Sequence, residues 1–504
     1  MPPTPEACDR ALAALALLLL TLAGCNPYAY TKGWTEAQTR NVRVQTNLRP
    51  NWAEGFAQGY QRLVDVMAET EFRCAFDRIS TPIDVIVMGG VYGRSMVGYS
   101  TSGLYFRPEE PLLELPPSIV VNADDEGRHG DVFLHELTHR LLDECVPSAP
   151  AWLHEGLATF YESAILESEE LRIGYPSAIF SDLDGERAKL SNGQTVAIIP
   201  LEKAPTFRAL RRLDDDEFYD DEANYQAAWV AIHLLKLEPD LERRFDRYVA
   251  ALVRGDDEHA AWERNFGDTD VDRRYEEHLT AGYHYLFRPV SGAEWDETAA
   301  EPLPSADVAL LMSTFYEWSP RRGAKNAREY IKHARKERPD SAEPLLYLAS
   351  VHAARSKWRK ARRPLEKALN LEPANPDVLS AALQYYALRP ANAKPSTEER
   401  QRISALASML TVEADRAYHH VALSNWQLFN DETKAAVQSA KLAVDLDPRS
   451  PLAHIALANA AQALGDVGEA REHLKTALGL TDHTQDETRQ DLRRRIDELE
   501  LGAL

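Results

Sequence analysis

The 504-residue sequence lacks an excess of positive charge. Its 79 acidic residues outnumber its 57 basic residues, which gives a formal net charge of −22 at pH 7. This balance argues against a nucleic-acid partner, because binding to phosphates depends on clustered lysine and arginine. The hydrophobic content of 44% is ordinary for a globular protein, and the length predicts two or three domains.

The N-terminal end lacks an apolar run long enough to span a bilayer. Ala11 to Leu22 is apolar over only twelve residues, whereas a membrane-spanning helix needs about 20. The run suits a signal-peptide core, and it ends in Leu22-Ala23-Gly24-Cys25. This stretch resembles the lipobox of a bacterial lipoprotein. The resemblance implies cleavage before Cys25, lipid on its sulfur, and membrane anchoring in the bacterial cell envelope, facing the periplasm or exterior. An ordinary secretory signal is the alternative.

Cysteine is also scarce. The chain has four cysteines, and cleavage before Cys25 leaves Cys74 and Cys145. In an oxidising compartment two remaining cysteines can pair, and this disulfide would connect a predicted strand region to the loop beside the helices predicted within residues 130–162. Two free buried cysteines are the alternative.

The strongest chemical signal lies between residues 130 and 162. It contains the H-E-x-x-H pattern, His135-Glu136-Leu137-Thr138-His139, followed by Glu155 sixteen residues after the second histidine. Side chains four apart lie on one face of a helix, so both imidazoles can bind a single metal ion. A second helix, predicted to start near Ser148 and Pro150, would bring Glu155 back to the same ion. Two imidazoles and one carboxylate leave one tetrahedral position for water, which is typical of a catalytic zinc site.

The predicted chemistry follows from the charge of one zinc ion. Bound zinc lowers the pKa of its water to about 7, which makes a hydroxide nucleophile available at neutral pH. Glu136 then accepts the proton and passes it to the leaving amine. The expected reaction is hydrolysis of a peptide bond.

The stretch Trp152-Leu153-His154-Glu155-Gly156-Leu157-Ala158 adds a second motif. Together the two motifs resemble the gluzincin zinc metallopeptidases, in particular the peptidase-MA-like families of bacterial envelope proteins. The resemblance implies that His135, His139 and Glu155 bind zinc and that Glu136 is the general base. It also implies that Glu162 orients a ligand imidazole, as a matching acid does in the aminopeptidase branch.

Two departures from the aminopeptidase pattern limit the comparison. The sequence has no Gly-rich exopeptidase motif, so trimming from the N-terminus is not expected. His154 stands where these enzymes usually have asparagine. It is either an alternative ligand or a neighbour of the site, because adjacent helical residues point about 100° apart.

Residues after the second motif offer fewer signals. Gluzincins have a tyrosine that donates its hydroxyl to the oxyanion, and this resemblance selects Tyr225 in Asn224 to Leu235, with His233 two turns on. Ordinary packing is the alternative for both. The acidic run Leu213 to Glu222 predicts a solvated loop; a calcium site is the alternative, although the spacing gives it no support.

Elements before the H-E-x-x-H pattern are predicted from periodicity. Trp52 to Thr70 has the spacing of an amphipathic helix, Pro82 to Met88 of a strand, and Met96 to Phe106 of a hairpin. Ser118 to Asn122 predicts another strand. The gluzincin resemblance implies that this strand is a sheet edge that pairs with extended substrate; a fully paired internal strand is the alternative.

A repeat of 34 residues marks the C-terminal part. Small and apolar residues recur at this distance: Ala327 and Ala361, Ala334 and Ala368, Leu423 and Leu457, Ala436 and Ala470, Ala443 and Ala477. The period resembles tetratricopeptide (TPR) repeats, which are helix pairs that bind proteins or peptides. A seven-residue insertion around Pro390 to Ser396 explains one irregular distance, and Gln485 to Leu499 predicts a capping helix.

The predicted fold is an α+β gluzincin-like metallopeptidase domain followed by an all-α TPR solenoid. The predicted segments are a signal peptide (1–24), a tether (25–50), the peptidase domain (51–290), a linker (291–306), the TPR repeats (307–482) and a capping helix (483–504).

The predicted function is that of a membrane-anchored zinc-dependent endopeptidase acting on extended peptides or proteins. Its TPR repeats would recruit substrate or a protein partner. The alternative is a catalytically inactive, protease-like TPR scaffold of an envelope complex. A third interpretation is a zinc hydrolase that acts on a bond other than a peptide bond.

Overall fold

The computed structural model describes residues 31–70, 72–76, 79, 82–89, 103–108, 111–123, 129–167, 169–176, 186–189, 195–198, 204–279, 283, 285–290, 296–318, 323–389, 396–481 and 485–501. The predicted signal peptide and Cys25 lie outside these residues, as does the predicted insertion apart from Ser396. Within the described ranges, no helix has both the length and the apolar character needed to cross a membrane.

The described strands form three sheets. The strands are β1 Thr35–Gln38, β2 Val42–Thr46, β3 Ile83–Met88, β4 Gly103–Phe106, β5 Ser118–Asn122, β6 Ile165–Glu167, β7 Glu170–Ile173, β8 Glu186–Lys189, β9 Thr195–Ile198, β10 Leu286–Pro289 and β11 Glu301–Pro302. The largest sheet has the order β11-β1-β2-β3-β5-β4.

The helices fall into two groups. The first group is α1 Pro50–Ala68, α2 Arg73–Phe76, α3 His129–Cys145, α4 Ala151–Glu162, α5 Phe207–Leu210, α6 Asp215–Tyr219, α7 Ala223–Leu237, α8 Pro239–Val253, α9 Glu258–Phe266 and α10 Val271–Leu279. The second group is α11 Ser305–Trp318, α12 Gly323–Glu337, α13 Glu343–Ala353, α14 Trp358–Leu371, α15 Pro376–Leu388, α16 Thr397–Glu413, α17 Ala417–Phe429, α18 Thr433–Leu446, α19 Pro451–Leu464, α20 Val467–Leu480 and α21 Asp486–Leu501.

Among the strands that the structure describes, β4 and not β5 is at this edge of the large sheet. β5 pairs in parallel with β3 on one side and antiparallel with β4 on the other. The prediction that Ser118 to Asn122 forms the substrate-binding edge is therefore wrong. The physical reason is visible in the apolar run SIVVN, because a strand that is buried on both faces belongs inside a sheet. The short β4 is partly exposed and takes the edge position.

Two predicted segment boundaries need correction. Residues 35–46, predicted as part of the tether, form β1 and β2, and Val42 and Val44 are fully buried. Residues 301–302, predicted as part of the linker, form β11 and pair with β1. Strands of two to five residues give a hydrophobic alternation too short to recognise without their partners.

The first helix pair of the C-terminal region covers one face of the large sheet. One sheet face packs on α1 and α3 through residues such as Val85 and Val121. The opposite face presents Ile86, Met88 and Val120 to buried residues of α11 and α12. The region that carries the large sheet and the repeats therefore share one buried interface rather than being joined by a free linker.

The C-terminal region is an all-α solenoid. In the part of the chain that the structure describes, α11 to α20 pack as five consecutive helix pairs. The alanines that recur every 34 residues lie at the helix crossings without exposed surface: Ala327, Ala334, Ala361, Ala368, Ala436, Ala443, Ala470 and Ala477. α21 follows the last pair and buries Leu492 and Ile496 against it.

A disulfide joins Cys74 in α2 to Cys145 at the end of α3, with 5.6 Å between the Cα atoms. Of the two alternatives for these cysteines, the structure contains the paired one. The bond closes a loop over a sequence separation of 71 residues. It fixes the last residue of the helix that carries the H-E-x-x-H pattern.

Replacing both cysteines, Cys74→Ser with Cys145→Ser, should lower the free energy of unfolding by about 2 to 4 kcal/mol, because the unfolded chain regains loop entropy. Urea unfolding measures the change. Reduced wild-type protein is the matched control and should resemble the double variant. Equal stability of oxidised, reduced and double-variant protein would contradict the prediction.

Candidate metal centre

The helix α3 carries the two histidines on the face that turns away from the core. Phe133, Leu137 and Leu141 recur every four residues and are fully buried. His135 and His139 have the same spacing on another face, where their side chains remain 19% and 13% exposed. The helix thus anchors one face in the core and presents two imidazoles to a cleft.

The helix α4 brings Glu155 to the same cleft. All its residues are buried, and Trp152 packs edge-on against Phe207 and Trp262. Gly156, next to Glu155, lets α4 approach α7 closely. A Cβ atom on Gly156 would lie 2.7 Å from a side-chain carbon of Ile232 and 2.9 Å from the carbonyl oxygen of Ala228. The glycine of the second motif is therefore a packing requirement.

The three predicted ligands meet at one point. Their ligand atoms all lie within 4.8 Å of one another. Oε2 of Glu155 is 3.5 Å from Nε2 of His135 and 3.6 Å from Nε2 of His139. Atoms bound about 2.1 Å from one zinc ion in tetrahedral geometry lie roughly 3.4 Å apart. The donor set and its spacing fit zinc.

Glu162 holds His135 from behind. Its Oε2 accepts a hydrogen bond of 3.1 Å from Nδ1 of His135, and its own side chain is buried. This contact leaves Nε2 of His135 directed at Glu155. Burial by itself lowers the pKa of His135, but the hydrogen bonds to Glu155 and Glu162 outweigh it and raise that pKa well above its ordinary value.

Glu136 lies under the edge strand β4. The backbone N–H of Tyr105 donates a 2.5 Å hydrogen bond to Oε2 of Glu136. Burial raises the pKa of Glu136, although the charges of His135 and His139 oppose the shift. A Cβ atom on Gly103 would lie 2.2 Å from Val132 and 3.1 Å from Cγ of Glu136, so only glycine allows this approach of strand and helix.

Two tyrosines, not one, lie beside the metal site. Tyr225 is partly buried in the first turn of α7, and burial together with the charges of Glu155 and Glu136 raises its pKa. Tyr219 donates its hydroxyl to Oε1 of Glu155 at 3.0 Å. Tyr219 was not among the predicted site residues, because it lies in the acidic run Leu213 to Glu222, whose charge predicted only a solvated loop.

That acidic run folds into α6. Asp214 caps this helix and forms a capping box with Glu217. Two carboxylates of the acidic run therefore bind the backbone at the start of the helix. Among the residues that the structure describes, only His135, His139 and Glu155 form a group able to hold a metal ion. The calcium alternative therefore has no support.

The two other candidate histidines belong to the packing around the site. His154 is fully buried, and its ring stacks on that of His139 with 5.9 Å between centroids. Nδ1 of His233 lies 2.8 Å from Nε2 of His278, and burial lowers the pKa of His278 to about 4. His233 does not share the cleft with Tyr225, because it faces this buried partner.

No protein-family profile matches the chain, and no curated protein matches it. The chain is similar to solved structures at low identity. PilW, a widely conserved type IV pilus biogenesis factor, is 14% identical with a TM-score of 0.30, over 35% of this chain and 78% of that chain. TTC0263, a thermophilic TPR protein of Thermus thermophilus, is 18% identical with a TM-score of 0.32; the match covers 39% of this chain and 99% of that chain. MamA of Desulfovibrio magneticus RS-1 is 19% identical with a TM-score of 0.26; the match covers 34% of this chain and 94% of that chain.

Gly156→Ala should separate packing from helix propensity. Alanine favours a helix over glycine by about 1 kcal/mol, but the clash with α7 should lower the free energy of unfolding by about 1 to 3 kcal/mol. Gly59→Ala is the matched control, because a Cβ atom on this glycine of α1 meets no atom within 4 Å. Thermal or urea unfolding should therefore show opposite signs for the two variants. A stabilised Gly156→Ala protein would contradict the close approach of α4 and α7.

Proposed function

We propose that the chain is a zinc-dependent peptidase joined to a protein-binding repeat solenoid. The observation that carries the metal assignment is the spacing of 3.5 and 3.6 Å between the Glu155 carboxylate and the two imidazoles. This is the spacing that a tetrahedral zinc ion requires. Zinc bound by His135, His139 and Glu155 would supply a Lewis acid that activates water and polarises a carbonyl group.

Glu136 is the proposed general base. One of its oxygens accepts the N–H of Tyr105, which leaves the other oxygen to accept a proton from the attacking water. A partly buried carboxylate next to the ligand His135 suits a group that takes up this proton and then gives it to the leaving amine. Its position under β4 places it beside any peptide bound along that strand.

The edge strand β4 is the proposed binding site for extended substrate. Its inner side pairs with β5, and no other described strand pairs with its outer side. A peptide backbone can add to such an edge as a further strand. The role that the resemblance assigned to Ser118–Asn122 therefore passes to Gly103–Phe106.

The two tyrosines have different proposed roles. Tyr219 positions Glu155 through its hydrogen bond to Oε1, so that Oε2 stays directed at the histidines. Tyr225, within electrostatic reach of Glu136 and Glu155, donates its hydroxyl to the carbonyl oxygen of the substrate as negative charge develops there.

The envelope location and the lipid anchor at Cys25 remain part of the proposal. The disulfide between Cys74 and Cys145 supports them, because such bonds persist in oxidising compartments. The solenoid supports a protein-interaction function in the same compartment. We propose that it binds a protein partner or substrate.

The second candidate is an inactive scaffold in which the repeats carry the whole function. One contact favours it: the N–H of the chain's own Tyr105 occupies one of the two oxygens of Glu136, so that a single oxygen remains for a water molecule. The repeat region and its helix pairs would serve either function equally well.

Zinc content and activity distinguish the two candidates. Purified protein should contain about one zinc ion per chain, and His135→Ala with Glu155→Ala should abolish it, because both remove ligands. Glu136→Gln should keep the zinc but lower the rate of peptide hydrolysis by roughly 10² to 10⁴-fold. Elemental analysis and a peptide-library assay provide the measurements. Folded protein that takes up no zinc would favour the scaffold.

Tyr219→Phe and Tyr225→Phe form a matched pair. Tyr219→Phe should weaken zinc affinity by about 10 to 100-fold while kcat at saturating zinc stays near normal, because only the position of a ligand is affected. Tyr225→Phe should keep zinc affinity and lower kcat by about 10² to 10³-fold with little change in KM. Zinc titration with a chelator and steady-state kinetics measure both. The reverse pattern would exchange the two roles.

A further inference from the structure

The connection between β4 and β5 runs onto the repeat solenoid. Leu112 has no exposed surface, and every other buried member of its hydrophobic cluster lies between Ala342 and Trp426, in the helices α13 to α17 and the residue before them. Leu113 packs against the same cluster. A loop of the metal-site region is thus held by residues more than 200 positions away in the sequence.

Charge adds to this apolar contact. A carboxylate oxygen of Glu114 lies 3.6 Å from a guanidinium nitrogen of Arg416, which immediately precedes α17. Arg416 also pairs with Asp377 in the first turn of α15. The repeats therefore offer an apolar cluster and, next to it, a cation to a segment in which two leucines precede a glutamate.

Two further contacts join the repeats to the metal-site region, one at the end of β4 and one in α3. The ring of Phe106, the last residue of β4, lies 5.3 Å from that of Phe315 in α11. Arg449, in the turn before α19, donates a 3.4 Å hydrogen bond to the carbonyl oxygen of Asp143 in α3. The repeats contact both the strand that covers Glu136 and the helix that carries it.

Residues 112–114, which contact the repeats, are close in sequence to the edge strand β4. Leu112 follows Phe106 by six residues and precedes Ser118 of β5 by six. Within β4, the N–H of Tyr105 donates to Glu136, and Gly103 lies directly on α3. An anchor on the connection therefore limits how far β4 can move from Glu136.

We propose that the solenoid binds residues 112–114 of its own chain as a peptide ligand and thereby positions the edge strand β4 over Glu136. Leu112 and Glu114 are positioning residues, since they act through β4. The catalytic consequence rests on the proposed function, whereas the docking of the segment and its effect on β4 do not. In this arrangement the repeats help to position the strand that lies over Glu136.

Hydrogen exchange of the full-length protein tests the docking. Leu112→Ala removes the buried side chain and should speed exchange at residues 103–108 and 111–117 at least about tenfold, because a packed leucine keeps the local structure closed. Leu115→Ala is the matched control: the same atoms are removed from the same segment, but Leu115 is only partly buried and lies outside the cluster. Residues 151–162 of α4 should exchange at the wild-type rate in both variants.

A second pair of variants keeps the test open if Leu112→Ala fails to fold. Glu114→Lys places a cation opposite Arg416 and should also speed exchange at residues 103–108. Glu114→Asp keeps the charge and should restore most of the protection. Exchange that rises at residues 111–117 but stays at the wild-type rate at 103–108 would overturn the proposal, because the segment would then not control β4.

Zinc content and kinetics separate this proposal from the proposed function. Leu112→Ala and Glu114→Lys should retain about one zinc ion per chain, since no ligand is changed. If the protein hydrolyses peptides, KM should rise at least about fivefold as the substrate-binding edge loosens, and Leu115→Ala should behave as wild type. If it hydrolyses none, the exchange result at β4 still decides the docking. Unchanged KM in an active enzyme with a released β4 would overturn the positioning role.

Discussion

The meeting of three side chains from two helices is the constraint on which the structure depends. Two imidazoles and a carboxylate, gathered within 4.8 Å in a partly buried cleft, lose much of their hydration. That loss is acceptable only if each group has a partner and the helices cannot separate. Glu162 supplies one partner, and the packing of Gly156 on α7 and the disulfide at Cys145 keep α4 and α3 in place. A bound cation would complete the set.

The need to cover the large sheet explains why the repeats are not a separate module. The large sheet needs cover on both faces, because β3 and β5 are buried on both. Helices α1 and α3 cover one face, and the first repeat pair covers the other. The solenoid therefore begins as part of the core around the large sheet, and its later helices contact the loop at Leu112. A truncation at the predicted linker would expose one face of the sheet.

Much of the site was predictable because its signals are local. His135 and His139 need only helical spacing to share a face, and a period of 34 residues needs no partner to be recognised. The second motif likewise marked Glu155, the family resemblance marked Glu162, and the structure brings both to His135. What these signals have in common is that a few neighbouring residues, or a fixed repeat, contain all the information.

By itself, then, the sequence determined the helices of the candidate ligands, their donor chemistry and the repeat period, since each follows from spacing along the chain. Only the tertiary structure decided that β4 rather than β5 is the edge, that Tyr219 reaches Glu155, and that His233 faces a buried partner. It also decided that Leu112 docks on the repeats. Each of these depends on contacts between residues distant in sequence, which burial and sheet order select and local periodicity does not encode.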